Sequence, residues 1–142
     1  MYKKEILGLE EAQTAVRACI EEASKDPSRP VAVAVTDDAG NLICFERMDG
    51  NGISNAKLTT RMSINKAYTS IMMNRPTRDF SERMKQLNVE LATWGDPAMT
   101  TVQGGLVFKN EAGQVIGAIG VSGLLADEDE KLAYVGLNAV KL

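Results

Sequence analysis

Val31-Ala-Val-Ala-Val-Thr-Asp-Asp-Ala-Gly-Asn-Leu-Ile-Cys-Phe-Glu-Arg-Met-Asp-Gly50 returns in outline as Gly105-Leu-Val-Phe-Lys-Asn-Glu-Ala-Gly-Gln-Val-Ile-Gly-Ala-Ile-Gly-Val-Ser-Gly123. Each stretch is an apolar run, a polar turn ending in Ala-Gly, and a second apolar run closed by glycine. The turns Asp37-Asp38-Ala39-Gly40 and Asn110-Glu111-Ala112-Gly113 put glycine where φ > 0 is needed and place acid or amide side chains where they cap backbone donors. Two β-hairpins are expected, joined in one antiparallel sheet. The sequence around them has helical periodicity, so the fold class is α/β of the α+β kind, a sheet with helices packed on it. The likeness between the hairpins is too short to claim a duplication.

Alternation within the strands divides the sheet into two unlike faces. Val31, Val33 and Val35 point one way and Ala32, Ala34 and Thr36 the other; Val115, Ile119 and Val121 are likewise opposed to Ala118, Gly120 and Ser122. A face of small residues admits a close neighbour. A packed helix is the first candidate, with a ligand or a second subunit behind it.

Four helices are expected. Leu9, Ala12, Val16, Cys19, Ile20 and Ala23 recur at helical spacing up to about Asp26, where Pro27 and Pro30 intervene. Ser54 is placed to cap a second helix reaching about Asn74, with apolar residues on more than one face. Thr77 is placed to cap a third, Arg78 to about Asn88, with Phe80, Met84 and Leu87 inward. The last starts near Asp127, its acidic first turn meeting the positive end of the helix dipole, and Leu132, Ala133, Gly136, Leu137 and Val140 face inward. The stretch from Val89 to Gly104 has no clean period and is expected to be a loop over the sheet.

At 142 residues the chain suits one domain, 1–142, of a size that buries roughly 70% of its unfolded surface. A net charge of -3 and 44% hydrophobic content give no basic excess, so nucleic acid is not an expected partner. No apolar run is long enough to cross a membrane, and the first residues show no secretory h-region, so a cytoplasmic location is expected. Cys19 and Cys44 are too few for a disulfide framework and sit in apolar contexts, which suits buried reduced thiols. Histidine is absent. That excludes Ser/His/Asp and Cys/His nucleophile pairs, His-ligated zinc and a proximal-His haem. No metal site is assigned.

The residues left for chemistry gather in three places. Arg47 and Asp49 end the first hairpin, where they are positioned to face a ligand or to pair with each other. From Ser54 to Arg78 the charged residues are Lys57, Arg61, Lys66, Arg75 and Arg78 with no carboxylate, and Lys66 falls on a partly buried face where an ammonium needs a partner. It is the first choice for a functional cation, either binding a substrate carboxylate or acting as an acid/base group; an ion pair with the acidic start of the last helix, Asp129 across a subunit boundary, is the structural alternative. Gly104, Gly105 and the G-x-x-G-x-x-G run to Gly123, with Ser122, offer backbone amides and a hydroxyl to an anion or a flat ring. The spacing is not the dinucleotide fingerprint.

Asp38-Ala-Gly-Asn-Leu, Arg47-Met-Asp-Gly50, Lys66-Ala67, Gly104-Gly105, Gly117-Ala-Ile-Gly-Val-Ser-Gly123 and Asp129-Glu130 together resemble the GlcG/HbpS-like family, which includes the C-terminal domain of PduO-type proteins. The likeness runs from the first helix to the last. It implies a profilin-like α/β domain that assembles as a homo-oligomer and that in some members binds haem or is found beside corrinoid and glycolate metabolism. Haem ligation in the family is associated with histidine, so a tetrapyrrole here would take Cys, Met, Tyr, Lys, a hydroxyl or no axial ligand. Fold transfers across such a resemblance more readily than activity.

Three functions follow as expectations. The first is an oligomeric binding protein whose pocket, near Arg47, Asp49, Lys66, Gly104, Gly105 and Ser122, takes a small anionic or planar metabolite, haem or a corrinoid included. The second is a lyase- or isomerase-type enzyme on a small carboxylate, with Arg47 holding the carboxylate, Lys66 as acid/base and Asp129 orienting it. It requires Lys66 and Asp129 to share a cavity. The third is a structural role in a larger assembly, favoured by a sheet with no cavity beside Lys66.

Overall fold

The computed structural model describes residues 1–142. In chain order the elements are α1 (Leu9–Ala23), β1 (Ala32–Asp37), β2 (Leu42–Arg47), α2 (Thr59–Met73), α3 (Thr77–Leu87), a short 3-10 helix (Leu91–Trp94), β3 (Gly105–Lys109), β4 (Val115–Ser122) and α4 (Ala126–Ala139). The two hairpins, β1–β2 and β3–β4, form one antiparallel sheet in the order β2-β1-β4-β3, joined where Val33 pairs with Val121 and Ala34 with Gly120. The fold is the expected α+β arrangement of two hairpins and packed helices.

Both hairpin turns use the same device. Asp37 Oδ1 accepts from the amides of Ala39 and Asn41, each at 2.9 Å, and Asn110 Oδ1 accepts from Gln114 N at 2.9 Å. Gly40 closes the first turn at φ +85°, a conformation glycine adopts without a Cβ clash.

The bulky face carries the main core. Val31, Val33, Val35, Leu106, Phe108, Ile119 and Val121 pack against Ala12, Ala15, Val16 and Cys19 of α1 and Leu132 and Ala133 of α4. The small face lies under α2, whose Ala67 and Ile71 pack on Ala118. A Cβ added at Gly120 would fall against the Ser63 carbonyl and 2.6 Å from Ala67 N; one added at Gly105 would fall against Ser70 Oγ and the Lys66 carbonyl. A helix is therefore what the small face receives.

Helix boundaries depart from expectation where side chains have other partners. Ser54 does not cap α2, because its hydroxyl donates to the Gly50 carbonyl at 3.1 Å within a run of turns. Those turns are held by two asparagines: Asn51 Nδ2 donates to Pro30 O at 3.2 Å, and Asn55 Nδ2 to Pro30 O at 3.1 Å and Gly123 O at 3.3 Å. Helix α2 starts only at Thr59. Thr77 likewise does not cap α3: it lies inside the helix, and its Oγ1 accepts from Gly105 N at 3.0 Å. Helix α1 ends at Ala23 rather than near Asp26, whose carboxylate accepts from Ser28 N at 3.2 Å. Within the expected loop from Val89 to Gly104, Leu91–Trp94 forms the 3-10 turn.

Candidate functional site

Helix α2 crosses the sheet over Gly105 and Gly120, so close that a side chain leaving its third turn must run through the interior. That side chain is Lys66, 1% exposed. Its Nζ donates to the Val121 carbonyl at 2.8 Å and to Asp129 Oδ2 at 2.8 Å. Asp129 stands in the first turn of α4, where its other oxygen accepts from Leu124 N at 3.0 Å. Gly104 completes the cage: at φ +130°, a Cβ there would lie 3.0 Å from both Lys66 Nζ and Asp129 Cβ. Glycine is required at that position for its conformation and for space.

Burial lowers the Lys66 pKa and raises that of Asp129, each opposed by attraction to the other. The pair titrates as a unit. The ammonium has two acceptors for its three protons, and the carboxylate has a donor on each oxygen. This is the arrangement that lets a buried ion pair persist.

The other expected site residues separate into sealed and open positions. The Gly105 amide is committed to Thr77, and the Gly104 carbonyl accepts from Val121 N at 3.0 Å. Ser122 is buried at the end of β4. Arg47 and Asp49 are exposed, and neither makes an ion pair. Arg47 pairs with Ala32 and Ala32 with Ser122, which puts Arg47 two strands from Ser122 on the side of the sheet that α2 covers. The structure thus brings together Lys66, Asp129 and Gly104, with Ser122 next along β4 from the Val121 carbonyl that Lys66 bonds, and leaves Arg47 and Asp49 at the edge.

That edge is itself informative. Helix α2 packs on β4, β1 and β3, which leaves β2 at the margin of the helix, with Tyr68 and Met72 reaching only as far as its turn at Gly40. Phe45, opposite Ala34, and Arg47, opposite Ala32, share the α2-side face of β2. The result is a half-buried ring beside a guanidinium without an ionic partner.

Five surface clefts of about 320–370 Å³ have walls that include none of Arg47, Asp49, Lys66, Gly104, Gly105, Ser122 or Asp129. The acid/base expectation needs a cavity at Lys66, and its ammonium is instead enclosed by β4 and α4. No helix is long and apolar enough to cross a membrane.

Polar residues that sequence reasoning passed over form much of the scaffold. Asn51 and Asn55 anchor the segment before α2, and Thr59 and Thr60 donate to Asn51 Oδ1 at 3.3 and 3.0 Å. Thr69 Oγ1 accepts from Thr100 N at 2.9 Å, and Tyr68 donates to Asp96 at 2.6 Å, tying the loop after the 3-10 turn to α2. The asparagine spacing across Asn51-Gly-Ile-Ser-Asn55 was visible, but no local rule reveals that its partners are carbonyls at residues 30 and 123.

The model of the family described as haem degrading protein HbpS-like matches residues 7–138. Protein GlcG of Escherichia coli K12 is 34% identical over 122 residues, covering 86% of this chain and 85% of its own. A crystal structure of a double mutant of Streptomyces reticuli HbpS superposes with a TM-score of 0.85 at 30% identity, over 100% of this chain and 92% of that one. The PduOC domain, crystallised as a heme complex, shares the fold at 23% identity, with a TM-score of 0.82 and 96% of each chain covered. With nearly every element of the chain inside the matched span, the protein belongs to the HbpS-like family.

Proposed function

We infer that the protein binds a small planar or anionic metabolite without transforming it, and that it does so on the face of β2 that carries Phe45 and Arg47. The observation that carries this is that Phe45 and Arg47, which has no ionic partner, share one face of the edge strand that lies at the margin of α2. A ring offers stacking area, and a guanidinium offers bidentate hydrogen bonds to a carboxylate. Binding of a haem-type small molecule is supported at the level of the family, whose model is described by haem. The residues fit the plane and the acid groups of such a ligand. The chain has no histidine, so the reading uses the macrocycle and its carboxylates, not coordination of its iron.

Self-association is part of the same reading. Ile53, Leu58 and Met72 are exposed at or near α2, and a homo-oligomer would cover them. The free thiols Cys19 and Cys44 suit a reducing cytoplasm. Light scattering on the purified chain reports the assembly, and a monomer would remove that part of the reading.

Titration with hemin, metal-free protoporphyrin and small dicarboxylates, followed by absorbance and calorimetry, tests the site. Hemin and the metal-free porphyrin are expected to bind comparably, and Arg47→Ala to weaken both on the order of tenfold. Absence of binding by every probe, or an Arg47→Ala variant with unchanged affinity, overturns the assignment.

A second reading has the 2.8 Å contact of Lys66 with Asp129 in its favour: Lys66 as acid/base on a small carboxylate. It would require the enclosing segment to open. Hydrogen exchange at Gly104 and Val121 as slow as in the core strands would count against it.

A further inference from the structure

One oxygen of a largely buried carboxylate side chain reaches an open cleft and has no protein hydrogen bond. The cleft, about 350 Å³, is walled by Arg78, Gln103, Asp127, Glu130, Lys131 and Tyr134. It lies where α3, the segment leading into β3, and α4 meet. The Glu130 side chain is 8% exposed. Gln103 Nε2 donates to its Oε2. Its Oε1 has only the Arg78 guanidinium, at 3.8 Å, which is beyond hydrogen-bond reach.

Arg78 is loosely held. Its Nε stands 3.8 Å from Glu82 and its side chain is 58% exposed, so its donors remain available to a ligand. Water can reach that oxygen, and a charged donor brought by a ligand would replace the water with a shorter and stronger bond.

The charges on the cleft select the ligand. Arg78 and Lys131 balance Asp127 and Glu130, so neither a simple anion nor a simple cation is favoured. A molecule carrying both signs is. The volume is at the low end of small-molecule pockets, which restricts the ligand to a few heavy atoms and bridging water.

We propose that this cleft binds a small zwitterion of the amino-acid class, its ammonium donating to Glu130 Oε1 and its carboxylate accepting from Arg78. Tyr134, 44% exposed, forms part of the wall, and Lys131 adds positive charge at the carboxylate end. The site adjoins β3, whereas Phe45 and Arg47 lie on β2 at the opposite edge of the sheet. It goes beyond the reading of the β2 face and stands apart from it.

The test is amide-shift mapping on the isotope-labelled full chain, titrated with each proteinogenic L-amino acid and, separately, with acetate and with methylammonium. At least one amino acid is expected to cause saturable shifts at Gln103, Glu130 and Tyr134, and acetate and methylammonium none. Glu130→Gln and Arg78→Ala are each expected to weaken binding on the order of tenfold or more. Arg78 is exposed, so its variant decides the matter even where Glu130→Gln disturbs folding. No saturable binding by any amino acid, equal binding of acetate or methylammonium alone, or undiminished affinity in Arg78→Ala overturns the proposal. The porphyrin titration reads the other sheet edge, so either site can fail without the other.

Discussion

Lys66 Nζ and Asp129 Oδ2 meet at 2.8 Å with side chains 2% and 3% exposed, and so tie α2 on one face of the sheet to the start of α4 on the other. The link passes the end of β4, whose Val121 carbonyl takes a second bond from the same ammonium. The two helical layers are thereby joined through the sheet by a polar contact, and the two partners belong to one chain rather than to neighbouring subunits.

Removing one partner leaves the other buried and charged. Lys66→Met is expected to cost about 3–5 kcal/mol, whereas Lys66→Met with Asp129→Leu costs markedly less, because no uncompensated charge remains. Urea unfolding of the two variants measures the difference. In Lys66→Met, Asp129 keeps its burial and loses its counter-charge, so its folded pKa lies above the unfolded value near 3.8. A raised folded pKa gives stability that is present below the unfolded value and is lost as pH rises through the folded one. The deficit of Lys66→Met therefore shrinks on acidification. A deficit independent of pH would show that the carboxylate is not what destabilises the variant.

Gly120 and Gly105 face each other across β4 and β3 beneath α2. Gly120→Ala places a methyl group 2.6 Å from Ala67 N and against the Ser63 carbonyl, neither of which is the end of a flexible side chain. The helix must lift. A loss of about 1–3 kcal/mol or more is expected from such overpacking, together with faster exchange of α2 amides. Thermal melting of Gly120→Ala beside the parent chain checks it; an unchanged melting temperature would mean that α2 rides free of the sheet.

The two thiols differ in environment. Burial pushes Cys19 up to about 12, and its Sγ donates to the Leu132 carbonyl at 3.2 Å. Cys44, half-buried on β2, is also raised, by burial and then by the Glu46 charge. Because the thiolate is the reactive form, a disulfide reagent near neutral pH is expected to modify Cys44 slowly and Cys19 only once the chain unfolds. Thiol counting with and without denaturant distinguishes them. Cys44→Ser should abolish the native-state reaction.

The fold was legible because its signals are periodic and local. Alternation from Val31 to Thr36 and from Val115 to Ser122 specifies strands and faces, and Asp37 and Asn110 state their turns in four residues. What was not legible depends on partners distant in the chain. Ser54 and Thr77 look like helix caps by local rule, yet one hydroxyl is committed to Gly50 and the other to the Gly105 amide. The missing carboxylates between Ser54 and Arg78 did single out Lys66 and led to Asp129. Composition could not show that the pair would be sealed, because enclosure comes from the glycine-permitted approach of α2 to β3 and β4. Glu130 was visible only as one more acid in the first turns of α4, since its burial depends on Gln103 and the start of α3.

Acid titration separates the surface contribution of the same helix end. Arg29 holds Glu128 with two hydrogen bonds, 2.8 and 2.6 Å, and Glu128 also accepts from Leu125 N at 3.3 Å, capping α4. The guanidinium bond, more than any other cause, holds the Glu128 carboxyl down to about 2, against an ordinary value of 4.5. A depressed folded pKa gives stability that is present above the unfolded value and is lost as pH falls through the folded one. The window is therefore about pH 4.5 down to about 2, where the unfolded chain takes up a proton that the folded chain does not. The pair is largely solvent-facing, so its effect is modest and weakens with salt. Glu128→Gln is expected to flatten the pH dependence of the urea midpoint in that window, with the two chains differing less at high ionic strength. Parallel pH curves for Glu128→Gln and the parent would show that the Arg29 contact is not maintained in solution.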